Sequence, residues 1–215
     1  MHKYVQWMQL LKQVFKKASE VNDMKKTKSI LIVGVGGQGT ILSSKMLTLG
    51  LMEKGYDVKM SEIHGMSQRG GSVSAHIKYG DKVNSPVIGL GEADVLISFE
   101  QMETYRWLKY VSPKGKVVTN SFKLPSAPIL SGIVEYPEGL IEEIKSKADT
   151  TVIDAMDIVN RLNTPRSMNM VMLGALISVA KLNDINWKGI MESLMHEKYI
   201  DINMKALHIG MEQIG

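Results

Sequence analysis

The chain of 215 residues is 44% hydrophobic and contains no cysteine. This length suits one large α/β domain or one domain with an added helical part. The lack of cysteine excludes disulfides, thiolate zinc sites and cysteine-ligated iron–sulfur clusters on this chain. The net charge of +4 is concentrated in residues 1–28, where seven lysines against Glu20 and Asp23 give +5 and leave −1 for the remainder, so a nucleic-acid partner is not indicated. No apolar run reaches about 18 residues and no signal-peptide pattern is present, so we expect a cytoplasmic protein with no membrane contact.

The first predicted element is a basic amphipathic helix within an N-terminal extension, residues 1–28. Apolar side chains recur at roughly helical spacing with lysines between them: Val5, Met8, Leu11 and Phe15 with Lys12, Lys16 and Lys17. Such a helix would dock on a partner or on an anionic surface. Alternatively, Met24 is a plausible start of the protein and the extension has no role. The sequence favours this second interpretation and predicts one domain over residues 29–215.

Residues 29–63 predict a strand, a helix and a second strand. The apolar run Ser29–Gly34 is typical of a buried parallel strand. Helical periodicity follows over Thr40–Lys54, and Gly55 marks its end. Residues 56–63 predict the second strand, which completes a βαβ unit.

The remaining chain alternates strands and helices before it becomes mostly helical. Strands are predicted at 72–78, 94–99, 116–120 and 151–154, and helices at 102–110, 139–147 and, most strongly, 168–181. Residues 121–137, which contain Pro125, Pro128 and Pro137, predict a long connection. The sequence therefore predicts a Rossmann-like, doubly wound, mostly parallel α/β sheet with a helical C-terminal part.

A glycine loop between the first strand and the first helix is the first candidate site. Gly34, Gly36 and Gly39 fit the pattern G-x-G-x-x-G, and the candidate cofactor-binding residues are Gly34, Gly36, Gly37, Gln38 and Gly39. Gly34 would allow a tight turn, Gly36 the approach of a phosphate to the helix N-terminus, and Gly39 close helix–strand packing. Packing and turn geometry alone would explain these glycines equally well. A dinucleotide site also needs an acid at the end of the second strand, where Glu62 is the candidate.

A second glycine cluster follows at the carboxyl end of the second strand, where open α/β sheets bind ligands. The candidate residues for contact with substrate, coenzyme or a partner are Glu62, His64, Gly65, Met66, Ser67, Gln68, Arg69, Gly70 and Gly71. The glycines permit an anion-binding arrangement of backbone N–H groups, and Arg69 suits a carboxylate or phosphate. The alternatives are that Arg69 pairs with Glu62 or with another subunit, and that His64 is structural.

Catalytic residues remain unassigned at this stage. The sequence contains no serine–histidine–acid order, paired-carboxylate motif, Walker lysine or metal-ligand spacing, so no metal site is predicted. Asp154 and Asp157 lie three residues apart, which is more typical of a solvated helix start than of catalysis.

Several segments between residues 29 and 214, taken in order, resemble the gamma-type domain of 2-oxoacid:ferredoxin oxidoreductases. They are Val33–Gly39, Glu62–Gly71, Ser85–Ile88 followed by Gly91–Asp94, Asn169–Ala175, and Asn203 with Ala206 and Gly210. Their order and spacing are more specific than any one of them. The version of the second cluster from His64 to Gly71 resembles the indolepyruvate branch of this family.

The resemblance implies the small subunit of a complex in which an arylpyruvate, coenzyme A and oxidised ferredoxin give an arylacetyl-CoA, carbon dioxide and reduced ferredoxin. It also implies a large alpha subunit that carries thiamine diphosphate and [4Fe-4S] clusters. This chain agrees, since it has neither cysteine nor a Gly-Asp-Gly thiamine-binding motif. Two other functions stay open: an NAD(P)-dependent dehydrogenase, which the first glycine loop alone would suit, and a non-catalytic binding or regulatory module.

Overall fold

A computed structural model describes residues 27–64 and 70–214, so residues 1–26 of the extension, residues 65–69 and Gly215 lie outside the described residues. The strands are β1 (Lys28–Val35), β2 (Asp57–His64), β3 (Ser72–Gly80), β4 (Ala93–Ser98), β5 (Val111–Asn120) and β6 (Asp149–Ile153). The helices are α1 (Thr40–Glu53), α2 (Gln101–Trp107), α3 (Ala127–Leu130), α4 (Leu140–Lys147), α5 (Ala155–Arg161), α6 (Met168–Ala180), α7 (Trp187–Leu194) and α8 (Ile200–Glu212). Short 3₁₀ turns cover Leu108–Tyr110, Pro165–Ser167 and Glu197–Tyr199.

The six strands form one sheet in the order β2-β3-β1-β4-β5-β6. β1, β4, β5 and β6 pair in parallel, whereas β3 is antiparallel to both of its neighbours. The predicted mostly parallel α/β sheet is therefore confirmed, but β3 lies between the two strands of the predicted βαβ unit. The short link over residues 65–71 explains this, because a parallel pair of consecutive strands needs a much longer crossover.

Alternate residues of β1 enter two separate cores. Ile30 and Ile32 join the larger core beneath α1, α6, α7 and α8, whereas Leu31 and Val33 join a smaller core that Ile144 of α4 completes on the other face. Helices therefore cover both faces of the sheet, as a doubly wound fold requires. None of the helices in the described parts of the chain is long and apolar enough to cross a bilayer.

Helix α6 is the buried centre of the helical C-terminal part. Ten of its 13 residues are buried, and it packs between the sheet and α8. At this crossing a Cβ on Gly174 would collide with the backbone of Leu207, and one on Gly210 with the backbone of Val171. The two glycines thus allow the backbones of α6 and α8 to approach closely at this crossing.

Some element boundaries differ from the predicted ones. The helix predicted over 102–110 ends at Trp107 and continues as the 3₁₀ turn Leu108–Tyr110, and β5 begins at Val111, five residues before the predicted start. The predicted connection 121–137 includes α3, whose first turn contains Pro128. Proline is tolerated there because the first amides of a helix have no acceptor within the helix.

Candidate functional site at the carboxyl edge of the sheet

The two glycine segments meet at the carboxyl edge of the sheet. β1 and β2 point the same way, so the loop after β1 and the described ends of the cluster after β2 lie at one edge. The backbone N–H of Gly36 donates a hydrogen bond of 2.8 Å to the carbonyl oxygen of Gly71. Two segments that are about 35 residues apart in the sequence are therefore joined directly, at the edge where open α/β sheets bind ligands.

The Gln38 side chain stabilises the first glycine loop from within. Its Oε1 accepts a hydrogen bond of 2.7 Å from the backbone N–H of Val35, and its Nε2 donates one of 3.1 Å to the carbonyl oxygen of Phe99 after β4. Both ends of the amide are thus engaged inside the protein. A ligand at this loop would contact its backbone rather than the Gln38 side chain.

The glycines of the first loop differ in their surroundings and in why a side chain would or would not fit there. A Cβ on Gly34 would lie 2.9 Å from both Gln38 Oε1 and Thr40 Cγ2, so Gly34 is needed for close packing inside the turn. Gly39 has φ +84°, and its Cβ would lie 2.7 Å from Asn169 Nδ2, so its close packing is against α6 and not against a strand as predicted. Gly37 has φ +97° and no atom within 4 Å of a built Cβ, which leaves its outer side open.

Glu62 is placed differently from the acid of a dinucleotide site. Its Oε1 accepts a hydrogen bond from the hydroxyl of Ser44, a fully buried residue of α1. Because β3 separates β2 from β1, Glu62 lies two strands away from the strand that leads into the glycine loop, or roughly 10 Å at the usual spacing of strands. Glu62 therefore anchors α1 on β2.

The second glycine cluster is described only at its ends. Gly65, Met66, Ser67, Gln68 and Arg69 lie outside the described residues, as does the His64 side chain. At the far end Gly70 has φ +82°, and the hydroxyl of Ser72 donates a hydrogen bond of 2.5 Å to Glu103 Oε2. The other oxygen of this buried carboxylate accepts a hydrogen bond of 2.7 Å from Arg106. The exit of the cluster is thus fixed on one side by Gly36 and on the other by Glu103.

A buried carboxylate that sequence reasoning missed holds the connection after β5. Glu100 is 0% exposed and accepts hydrogen bonds from the N–H of Glu103 (2.8 Å), the N–H of Leu124 (3.2 Å) and the hydroxyl of Tyr136. Burial and then this hydrogen bond raise the pKa of Tyr136 far above its usual value. The connection, predicted only as a long link, is therefore bound tightly to the start of α2.

A cavity of about 590 Å³ opens beside the first glycine loop. Gly37–Gly39 form one wall, and the other walls come from residues 163–170 and 195–203. Sequence reasoning missed these walls, although Asn169 and Asn203 belong to the segments that carry the resemblance.

Asp154 caps α5 by accepting a hydrogen bond from the N–H of Asp157, which is the role of an acid at a helix start. Across residues 27–64 and 70–214, no three potential metal-ligating side chains of histidine, aspartate or glutamate cluster together.

Comparisons of the sequence identify related proteins along nearly all of the chain. Residues 29–213 match the family described as pyruvate ferredoxin/flavodoxin oxidoreductase. Four archaeal proteins named indolepyruvate oxidoreductase subunit IorB are 32–34% identical to the chain. The one from Pyrococcus horikoshii is 33% identical over 192 residues, which cover 86% of this chain and 94% of that protein.

Solved structures share the fold. The pyruvate oxidoreductase subunit PORC of Thermotoga maritima aligns with a TM-score of 0.66 at 23% identity, covering 87% of this chain and 97% of that one. The 2-oxoglutarate:ferredoxin oxidoreductase of Magnetococcus marinus aligns with a TM-score of 0.69 at 19% identity, covering 88% of this chain but only 31% of that one. The same fold thus occurs both over nearly the whole of one chain and within part of a longer one.

Proposed function

Because the chain belongs to the pyruvate ferredoxin/flavodoxin oxidoreductase family, we propose that it is the small subunit of a thiamine-dependent 2-oxoacid:ferredoxin oxidoreductase acting on indolepyruvate and other arylpyruvates. The arylpyruvate loses carbon dioxide, its acyl carbon bonds to the sulfur of coenzyme A as the thiol releases its proton, and the two electrons released reduce ferredoxin. The four relatives named IorB and the sequence from His64 to Gly71 support the indolepyruvate branch.

The electron carriers and the thiamine belong, on this proposal, to a large partner subunit. An iron–sulfur cluster does not fit this chain, because the sequence has no cysteine to supply thiolate ligands. Thiamine diphosphate, when bound on the partner, supplies the carbanion chemistry of decarboxylation. This chain needs only to position and shield the reactants.

The observation that carries this role is the hydrogen bond between Gly36 and Gly71, which joins the two glycine segments at one edge. Backbone N–H groups and a helix N-terminus at this edge suit the phosphates of coenzyme A or the carboxylate of the 2-oxoacid. We assign Arg69 to the same task as a charged contact. An NAD(P) site gains no support here, since Glu62 is hydrogen bonded to Ser44 and lies in an edge strand.

The test is reconstitution with the large subunit. Activity is measured as reduction of ferredoxin, or of methyl viologen in its place, that depends on both the arylpyruvate and coenzyme A. We expect activity only when both subunits are present. A large subunit that is fully active alone would favour the non-catalytic module, and arylpyruvate oxidation by this chain alone would overturn the proposal.

The contribution of Arg69 is tested in the intact complex. Arg69→Ala should raise the KM for coenzyme A or the arylpyruvate by about ten- to a hundredfold, since a charged hydrogen bond contributes about 1.5–3 kcal/mol. Arg69→Lys should recover part of the loss. Lys145→Ala is the matched control, because it removes one positive charge from the exposed side of α4. Unchanged kinetics of Arg69→Ala in a complex that still assembles would contradict the role of Arg69.

A further inference from the structure

An exposed apolar groove lies between α1 and α7, on the outer side of the larger core. Leu49 and Met52 of α1 are 38% and 56% exposed. With Gly189, Ile190 and Ser193 of α7 they line a groove of about 470 Å³. The small side of α7 formed by Gly189 and Ser193 leaves room for side chains of another segment. An apolar groove between two helices is a common binding place for an amphipathic helix.

The described part of the chain begins beside one end of this groove. Lys28, the first residue of β1, and Lys54, which directly follows α1, line one small cavity of about 300 Å³. Met52 and Glu53, which line the groove, are the last two residues of α1. The 26 residues that precede Thr27 in the sequence therefore join the fold next to the groove.

The sequence of these preceding residues has the pattern that such a groove binds. At the angular spacing of an α-helix, one face of the predicted helix carries large apolar side chains: Trp7, Leu10, Leu11, Val14 and Phe15. Lys12 and Lys16 lie on the opposite face. In water this apolar face would stay exposed, so the predicted helix needs a surface on which to bury it.

The charge of the groove is complementary to that of the extension. Among the described residues that line the groove, Glu53 alone is charged. It makes no ion pair with any residue that the structure describes. Residues 1–26 contain six lysines against Glu20 and Asp23, which gives a net charge of +4. A lysine at the border of the apolar face can cover apolar surface with its stem while its ammonium group meets Glu53.

We propose that the N-terminal extension docks in the groove between α1 and α7 of its own chain, with its apolar face against Leu49 and Met52 and its lysines near Glu53. The 12 residues between Phe15 and Lys28 span roughly 20 Å as a flexible tether. Such a tether holds the extension near the groove at an effective concentration in the millimolar range, which favours the same chain over a second copy. The sequence alone favours an extension without a role, and the groove supplies a place for it. The inference is independent of the proposed function.

Hydrogen exchange of the full chain, followed by mass spectrometry, tests the docking. We expect amides of residues 4–16 to exchange at least about tenfold more slowly than in an unstructured peptide. Met52→Gln and Glu53→Lys change exposed residues, so both variants should fold, and each should speed this exchange by about fivefold. Leu130→Gln and Glu142→Lys are matched changes at exposed sites outside the groove and should have no effect. Exchange at the rate of an unstructured peptide, or protection that the groove variants leave unchanged, would overturn the inference.

Chemical cross-linking shows whose groove the extension occupies. The chain has no cysteine, so a short bismaleimide can join only cysteines that are introduced. The pair Leu11→Cys and Met52→Cys should become linked within one chain at micromolar protein concentration, whereas the control pair Leu11→Cys and Leu130→Cys should not. Links mainly between two chains would assign the groove to a second copy, and no excess over the control pair would place the extension elsewhere; either result contradicts the inference. These measurements need no large subunit, so their outcome is separate from that of the proposed function.

Discussion

Replacing Gly39 by alanine measures how closely α1 is packed on α6 at the edge of the cavity. Gly39 has φ +84°, and its new Cβ would lie 2.7 Å from Nδ2, 2.8 Å from Cγ and 2.9 Å from Cβ of Asn169. The left-handed backbone costs a residue with a Cβ roughly 1–2 kcal/mol, and overpacking typically costs about 1–3 kcal/mol more. We therefore expect the free energy of unfolding to fall by about 2–5 kcal/mol. Gly37→Ala is the control, since it has φ +97° but no atom within 4 Å of the new Cβ, so only the backbone cost applies.

Urea unfolding of a double-mutant cycle isolates the collision from the backbone cost. Asn169→Ala removes Cγ and Nδ2, two of the three atoms that the new Cβ meets. Gly39→Ala should therefore cost at least about 1 kcal/mol less in the Asn169→Ala background, which is a coupling well above the usual error of additivity. Gly37→Ala should show no such coupling. Additive effects of Gly39→Ala and Asn169→Ala would refute the close contact between the two helix ends.

Three further predictions concern buried polar groups outside the cavity. Glu100→Gln should lower the free energy of unfolding, measured in urea, by about 1–3 kcal/mol, because an NH₂ group replaces an oxygen that accepts hydrogen bonds. Tyr136→Phe should lower it by less, because the N–H of Leu124 still donates a hydrogen bond to Glu100. Burial lowers the pKa of His76, whose Nδ1 accepts a hydrogen bond from the N–H of Ile88. Neutral His76 therefore contributes to stability above about pH 6.5, and this contribution is lost as the pH falls through the pKa of His76 in the folded protein. We expect His76→Leu to make the loss of stability in acid less steep. Burial raises the pKa of Tyr79 to about 12. The contribution of the neutral phenol to stability is therefore complete below about pH 10 and is lost as the pH rises through about 12. We expect the Tyr79→Phe variant to unfold less readily in alkali.

The local part of the fold could be predicted from the sequence, because it depends on neighbouring residues. The apolar run Ser29–Gly34 and the periodicity of Thr40–Lys54 predict β1 and α1 to within one or two residues. The position of β3 between β1 and β2 depends on contacts between distant segments. The sequence of residues 72–78 does not show whether this strand lies between two others or at the edge of the sheet. The short link at residues 65–71 was the available signal, because it forces β2 and β3 to be antiparallel neighbours.

Of the candidate site, the sequence indicates the glycines but not what surrounds them. Glu100 is buried and accepts hydrogen bonds from Leu124 and Tyr136, which lie far along the chain. Asn169 lies against Gly39, and Gly174 lets α6 pack tightly against α8; both are tertiary contacts that periodicity does not reveal. Sequence patterns identify residues with special backbone needs, and the partners of buried polar groups require the folded chain.

The hydrogen bonds of the polar side chains at the carboxyl edge of the sheet favour a role in binding reactants over a role in proton transfer. Gln38 is hydrogen bonded at both ends within the protein, Glu62 accepts the hydroxyl of Ser44, and Glu103 binds Ser72 and Arg106. Each of these polar groups stabilises the scaffold, so none is poised to exchange a proton with a substrate. The groups left for a ligand are the backbone amides of the first glycine loop and of the helix ends, which can bind an anion without exchanging a proton with it. These contacts agree with the proposed function, in which a partner subunit supplies the chemistry and this chain binds the reactants.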